Sequence, residues 1–173
     1  DTRPTPANEV AAIVVSGRSA NLKLNMSFLP MIHLEFGRPV RALVTTGPAV
    51  DPTSYPTPKN VVVRSYVPHQ QVFPRADLVI THGGHGTVLT ALASGVPVLC
   101  LPMGRDQGDI AARVVWRGAG LSLSPRSKLA AIREAVQRLL DDPRFREEAG
   151  RIGDRLASES ASACAIEEVE RLA

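Results

Sequence analysis

The sequence predicts an α/β domain: one parallel sheet with helices over both faces. Three observations predict it. Short, continuously apolar runs alternate with helical patterns along the chain, and strands buried on both faces read as unbroken apolar runs. The 173 residues suit one domain better than two. Hydrophobic residues make up 44% and aromatic ones only 4%, so aliphatic side chains must fill an ordinary core. Right-handed crossovers between parallel strands then give a doubly wound, Rossmann-like sheet.

Residues 1–9 are polar and Pro-rich and read as a flexible start. Ala11–Ser16 is the first expected strand and ends in Ser-Gly. Leu22–Phe36 carries Leu24, Phe28, Met31, Ile32 and Leu34, an imperfect helical stripe. Val40–Thr46 is the second strand, followed by a loop with four prolines, Pro48–Pro58. Asn60–Val67 is the third, and His69–Arg75, after Pro68, reads as one short helix. Asp77–Thr81 and Val96–Leu101 are the fourth and fifth strands. Between them Gly86–Ser94 reads as a helix that Gly95 stops. Asp109–Arg117 is another helix, and Leu121–Leu123 a short last strand. Ser127–Leu140 sets Leu129, Ile132, Val136 and Leu139 on one helical face. Phe145–Leu156 and Ala161–Leu172 complete a helical tail. No repeat, low-complexity stretch or internal boundary interrupts the pattern, so residues 1–173 read as one domain.

Net charge is +3, with Lys and Arg scattered along the chain. That argues against nucleic acid as a partner and leaves room for a local positive potential toward phosphate. Cys100 lies in an apolar run, where a buried free thiol is a better reading than a disulfide to the distant Cys164. No stretch is long and apolar enough to span a membrane, and no signal-peptide pattern opens the chain. The expected compartment is the cytoplasm. The chain begins at Asp1 rather than at Met, as an excised piece of a longer protein would.

In an open parallel sheet, ligands lie at the carboxyl ends of the strands. Ser16-Gly17, Thr45–Gly47, Thr81–Thr87 and Pro102–Gln107 converge there. Thr81–Thr87 is the most informative. Its glycines let the main chain approach an anion, and the helix that follows aims free N–H groups and its positive dipole end at the same place. Thr87 adds a hydroxyl and His82 a further donor. A tight turn with no ligand would also favour glycine, but the two histidines and two threonines around it favour a site. His82 is the functional candidate of the pair, and His85 reads as a cleft or interface residue.

Gly84 and Gly86 follow the fourth strand, not the first, so this is no dinucleotide fingerprint. No Gly-Lys-Ser/Thr makes it a Walker loop, and no Cys/His spacing suggests a metal. After the fifth strand, Asp106-Gln107 pairs a carboxylate with an amide, which suits the hydroxyls of a polyol. A helix N-cap at Asp106 is the competing reading.

Taken together, these motifs resemble the C-terminal domain of family 1 glycosyltransferases, the GT-B enzymes that use UDP- or dTDP-sugars, and in particular natural-product, macrolide-type members. The matching stretches are Tyr66–Phe73, Ala76–Thr87, Gly95–Pro102 and Asp106-Gln107, within about residues 40–125. Each is weak alone, and their order and spacing are specific. The resemblance implies the C-terminal half of a GT-B fold. It implies that His82, Gly84, Gly86 and Thr87 hold the donor diphosphate, with Ser16 reaching it from the first strand. Tyr66, standing where many relatives have a stacking Trp, and Val67 would meet the base. Asp106 and Gln107 would bind the transferred sugar. Many UDP-sugar relatives clamp both ribose hydroxyls with a Glu, and here that position is Thr90, which is compatible with a dTDP-sugar. Residues 1–38 depart from the family pattern, the usual loop being reduced to Ser16–Ser19.

The implied reaction is attack of an acceptor hydroxyl on the anomeric carbon, with the nucleoside diphosphate leaving. The nucleotide sugar is a substrate, and neither cofactor nor metal is expected. The general base and acceptor pocket come from an N-terminal domain, which this chain is too short to contain. It is therefore expected to bind donor with little turnover alone. Rival readings are part of a nucleotide-sugar epimerase, a donor-binding subunit serving a separate acceptor chain, and a Rossmann-like domain with no nucleotide role.

Overall fold

The computed structural model describes residues 40–47, 51–53, 58–158 and 171, and the backbone alone of residues 11–16 and 54. The expected flexible start at 1–9 and the helices expected at 22–36 and 161–172 lie outside these described residues, save Arg171.

Six strands form one sheet: β1 (Ala11–Ser16), β2 (Val40–Thr45), β3 (Val61–Arg64), β4 (Leu78–Thr81), β5 (Val98–Cys100) and β6 (Gly120–Ser122). All neighbours pair in parallel, in the order β3-β2-β1-β4-β5-β6. The order reverses at β1, which pairs with both β2 and β4 and sets Ser16 in register with Thr45 and Thr81. A crevice for ligands opens at such a reversal.

Helices α1 (His69–Val72), α2 (His85–Ala93), α3 (Gln107–Trp116), α4 (Leu129–Asp141) and α5 (Pro143–Ser158) complete the described elements, with 3-10 turns at Pro52–Ser54 and Phe73–Arg75. The short helix expected over 69–75 is thus split, because Pro74 has no N–H to continue an α-helical turn.

Successive strand residues face opposite sides, and two cores follow. Leu78, Ile80 and Leu99 pack with Val136 and Leu139 of α4 on one side. Val79, Val98 and Cys100 pack with Val88 and Leu92 of α2 and Val114 of α3 on the other. Both faces are covered, which is why the strands read as continuous apolar runs.

Several strands are shorter than the sequence suggests. The β2–β3 ladder ends at Thr45 and Arg64, and two further bonds, Thr46 N–H to Arg64 O and Gly47 N–H to Ser65 O, carry the pairing just past it. Tyr66–Pro68 then leave the sheet. β5 starts after Pro97, which lacks an N–H for the ladder. β6 begins at Gly120, where an added Cβ would sit 2.0 Å from Val98 O; no side chain fits against β5 there.

Candidate functional site

The site begins where β4 ends. Thr81 is buried, and its Oγ1 accepts a hydrogen bond from Gly83 N–H at 3.4 Å. Gly83 turns the chain at φ +88, a conformation that glycine adopts without strain. Gly84 is extended and stands at the N-cap of α2, where no side chain caps the helix. α2 starts at His85, one residue before the sequence suggested, because Gly84 already fills the capping position. The first helical bond is Val88 N–H to Gly84 O. The N–H groups of His85, Gly86 and Thr87 precede it and face out of the helix start.

The imidazole of His82 lies over this helix start. A Cβ on Gly84 would come within 2.7 Å of His82 Nε2. Glycine at 84 is therefore what lets the ring fold in. A Cβ on Gly86 would meet nothing within 4 Å, so the space beside that residue is open. His82 and Thr87 are half-buried, while His85 and Gly86 are exposed. His85 turns elsewhere: it lines a hollow between α2, α3 and α5 with apolar side chains such as Val88, Ile110 and Ile152 and with Arg113, Arg117 and Arg155. The two histidines thus face different surroundings.

The second turn, Pro102–Gln107, packs directly on the first. A Cβ on Gly83 would stand 3.2 Å from Gln107 O and 3.9 Å from the Cβ of Cys100. Cys100 is a buried free thiol, and burial pushes its pKa up to about 12, so it stays neutral near neutral pH. Asp106 occupies the N-cap of α3 but makes no capping hydrogen bond, and it is exposed. The helix-cap alternative for its carboxylate is not realised. Gln107 is half-buried, and its Oε1 accepts from Met103 N–H at 2.8 Å. Nothing in the sequence signals that bond.

The remaining candidates share the carboxyl edge of the sheet. Ser16 ends β1 beside Thr81, and its side chain lies outside the described residues. Tyr66 is 66% exposed just past β3, and Val67 is half-buried. β3 stands three strand spacings from β4, about 14 Å, so Tyr66 and the β4 turn can meet only opposite ends of an extended ligand. Thr90 lies on α2 and donates its hydroxyl proton to Gly86 O at 2.7 Å. Among the described residues, no three His, Cys, Asp or Glu side chains are grouped to hold a metal ion, and no helix is long and apolar enough to cross a membrane.

Residues 43–172 match the family described as erythromycin biosynthesis protein CIII-like, C-terminal domain. The chain belongs to that family. Among its relatives, 4'-demethylrebeccamycin synthase from Lentzea aerocolonigenes is 39% identical over 145 residues, covering 83% of this chain and 34% of the relative. The 3-alpha-mycarosylerythronolide B desosaminyl transferase of Saccharopolyspora erythraea is 38% identical over 117 residues, covering 67% of this chain and 28% of the relative. In structure, the calicheamicin glycosyltransferase CalG4 superposes with a TM-score of 0.82 at 30% identity, covering 98% of this chain and 44% of that one. The domain is therefore the C-terminal unit of the GT-B architecture, and its relatives are natural-product glycosyltransferases. The chain spans about a third of the length of these curated relatives. The family match sets aside the epimerase reading and that of a Rossmann-like domain with no nucleotide role. It begins at residue 43, in keeping with the atypical pattern of residues 1–38.

Proposed function

We propose that this domain holds the donor of a glycosyltransferase that moves a sugar from a UDP- or dTDP-sugar to a hydroxyl of a small natural product. One observation carries the reading: the His82 ring lies against a helix start that has no side-chain cap, in a place that only glycine at 84 permits. Outward amides, the positive end of α2 and an imidazole donor suit a diphosphate. They also suit the charge that grows on it as it leaves, which is electrostatic stabilisation of the transition state. His82, Gly84, Gly86, Thr87 and Ser16 take the diphosphate, Tyr66, Val67 and Thr90 the base and ribose, and Asp106 and Gln107 the sugar. This donor set asks for no metal. The names of the relatives support a natural-product acceptor, bound, together with the general base, by a separate N-terminal domain. The compartment in keeping with such chemistry is the cytoplasm. The chain alone binds donor and turns over little.

Titration calorimetry tests the reading. His82→Ala is expected to weaken UDP and dTDP about tenfold or more while leaving uridine and thymidine nearly unchanged, since only the diphosphate loses its partner. Equal losses for nucleotide and nucleoside would remove His82 from the phosphate site.

A further inference from the structure

Between β5 and α3 the chain forms a loop closed by one of its own side chains. Met103 N–H donates to Gln107 Oε1 at 2.8 Å, and Gln107 N–H reaches Gly104 O at 3.4 Å. Within that closure Gly104 has φ +150 and Arg105 φ +57. Arg105 is the one non-glycine residue with positive φ among the described residues, a conformation that persists in a side-chain-bearing residue only where its surroundings hold it. The far end of the loop is anchored as well, because Gln107 O packs against Gly83. A backbone N–H offers only a proton, so the carboxamide atom that meets Met103 is the oxygen.

We infer that Gln107 is a positioning residue. Its carboxamide oxygen braces the Met103–Asp106 loop, keeps Arg105 left-handed and so sets where the exposed Asp106 carboxylate stands. The brace is made by the chain's own groups; its consequence for a sugar rests on the donor-site reading above. With the oxygen committed, Gln107 has only its two Nε2 protons to offer a ligand, while Asp106 offers only acceptors. The pair divides the work. A group facing Asp106 must bring a proton, and a group facing Gln107 must bring a lone pair.

Two measurements on the full chain test this: hydrogen exchange at the Met103 amide without ligand, and titration with dTDP and dTDP-glucose. In Gln107→Leu the Met103 amide is expected to exchange about tenfold faster. The same variant is expected to bind dTDP-glucose about tenfold more weakly, with dTDP unchanged. Gln107→Glu keeps an acceptor oxygen, so Met103 stays protected although the donor protons are gone. If the Leu variant does not fold, Gln107→Asn, one methylene short of Met103, reads the same amide. Equal Met103 exchange in the unmodified chain and in the Leu or Asn variant overturns the brace. So does a Glu variant that exchanges as fast as they do. A chain whose Met103 amide depends on Gln107 but which binds neither nucleotide keeps the brace and loses the donor-site reading.

Discussion

Two strand-to-helix turns lie against each other at the carboxyl edge of the sheet, and they start their helices in opposite ways. After β4, Gly84 stands at the cap, no side chain caps the helix start by a hydrogen bond, the His82 ring lies beside it, and the first amides of α2 face outward. After β5, a side chain folds back: Gln107 holds Met103 N–H, Arg105 is left-handed, and Asp106 keeps its carboxylate exposed. The first turn offers main-chain protons and a helix dipole. The second offers a carboxylate and amide protons. An anion gains from the first and is repelled by a carboxylate in the second. The proposed donor, with a diphosphate and neutral hydroxyls, would meet both chemistries on neighbouring turns.

The largest expected effect breaks the first turn. Gly84→Val places a Cβ 2.7 Å from His82 Nε2, so the ring must move off the helix start. Nucleoside diphosphate affinity is expected to fall about a hundredfold, ~2.7 kcal/mol, with the far-ultraviolet circular dichroism unchanged. Unaltered affinity in calorimetry would show that the ring's place over Gly84 does not matter to binding.

A smaller effect tests whether the turns act together. Gly83→Ala forces a side chain into φ +88 and against Gln107 O at 3.2 Å. It is expected to lower stability by about 1–3 kcal/mol, seen as a drop in Tm, and to weaken dTDP and dTDP-glucose alike. A variant with the parent Tm would uncouple the two turns.

The smallest effect sharpens the division of labour within α2. Thr90 spends its proton on Gly86 O and leaves only lone pairs for a ribose. Thr90→Glu is expected to shift preference from dTDP toward UDP by a few-fold, on the order of a single hydrogen bond. An unchanged ratio in competition binding rejects a ribose role for this position.

The first turn is legible in the sequence and the second is not. Glycines at 83, 84 and 86 between an apolar run and a helical pattern have few other uses, and His82 sits among them. The approximate place of every described strand and of α2 to α5 is legible for the same reason: hydrophobic period, glycine and proline act through the chain's own dihedrals. Boundaries slipped by up to three residues where pairing stopped early, as at Tyr66–Val67, or where a cap began early, as at Gly84.

What the sequence by itself determined was the kind of element in the described strands and in α2 to α5, and the residue types gathered at strand ends, because those depend on near neighbours along the chain. Tertiary structure alone decided the strand order, the folding of His82 over Gly84, the contact of Gly83 with Gln107 and the commitment of Gln107 Oε1 to Met103. Each of these is set by groups brought together in space and by competition for the same hydrogen-bond partner, which no local pattern of residues encodes.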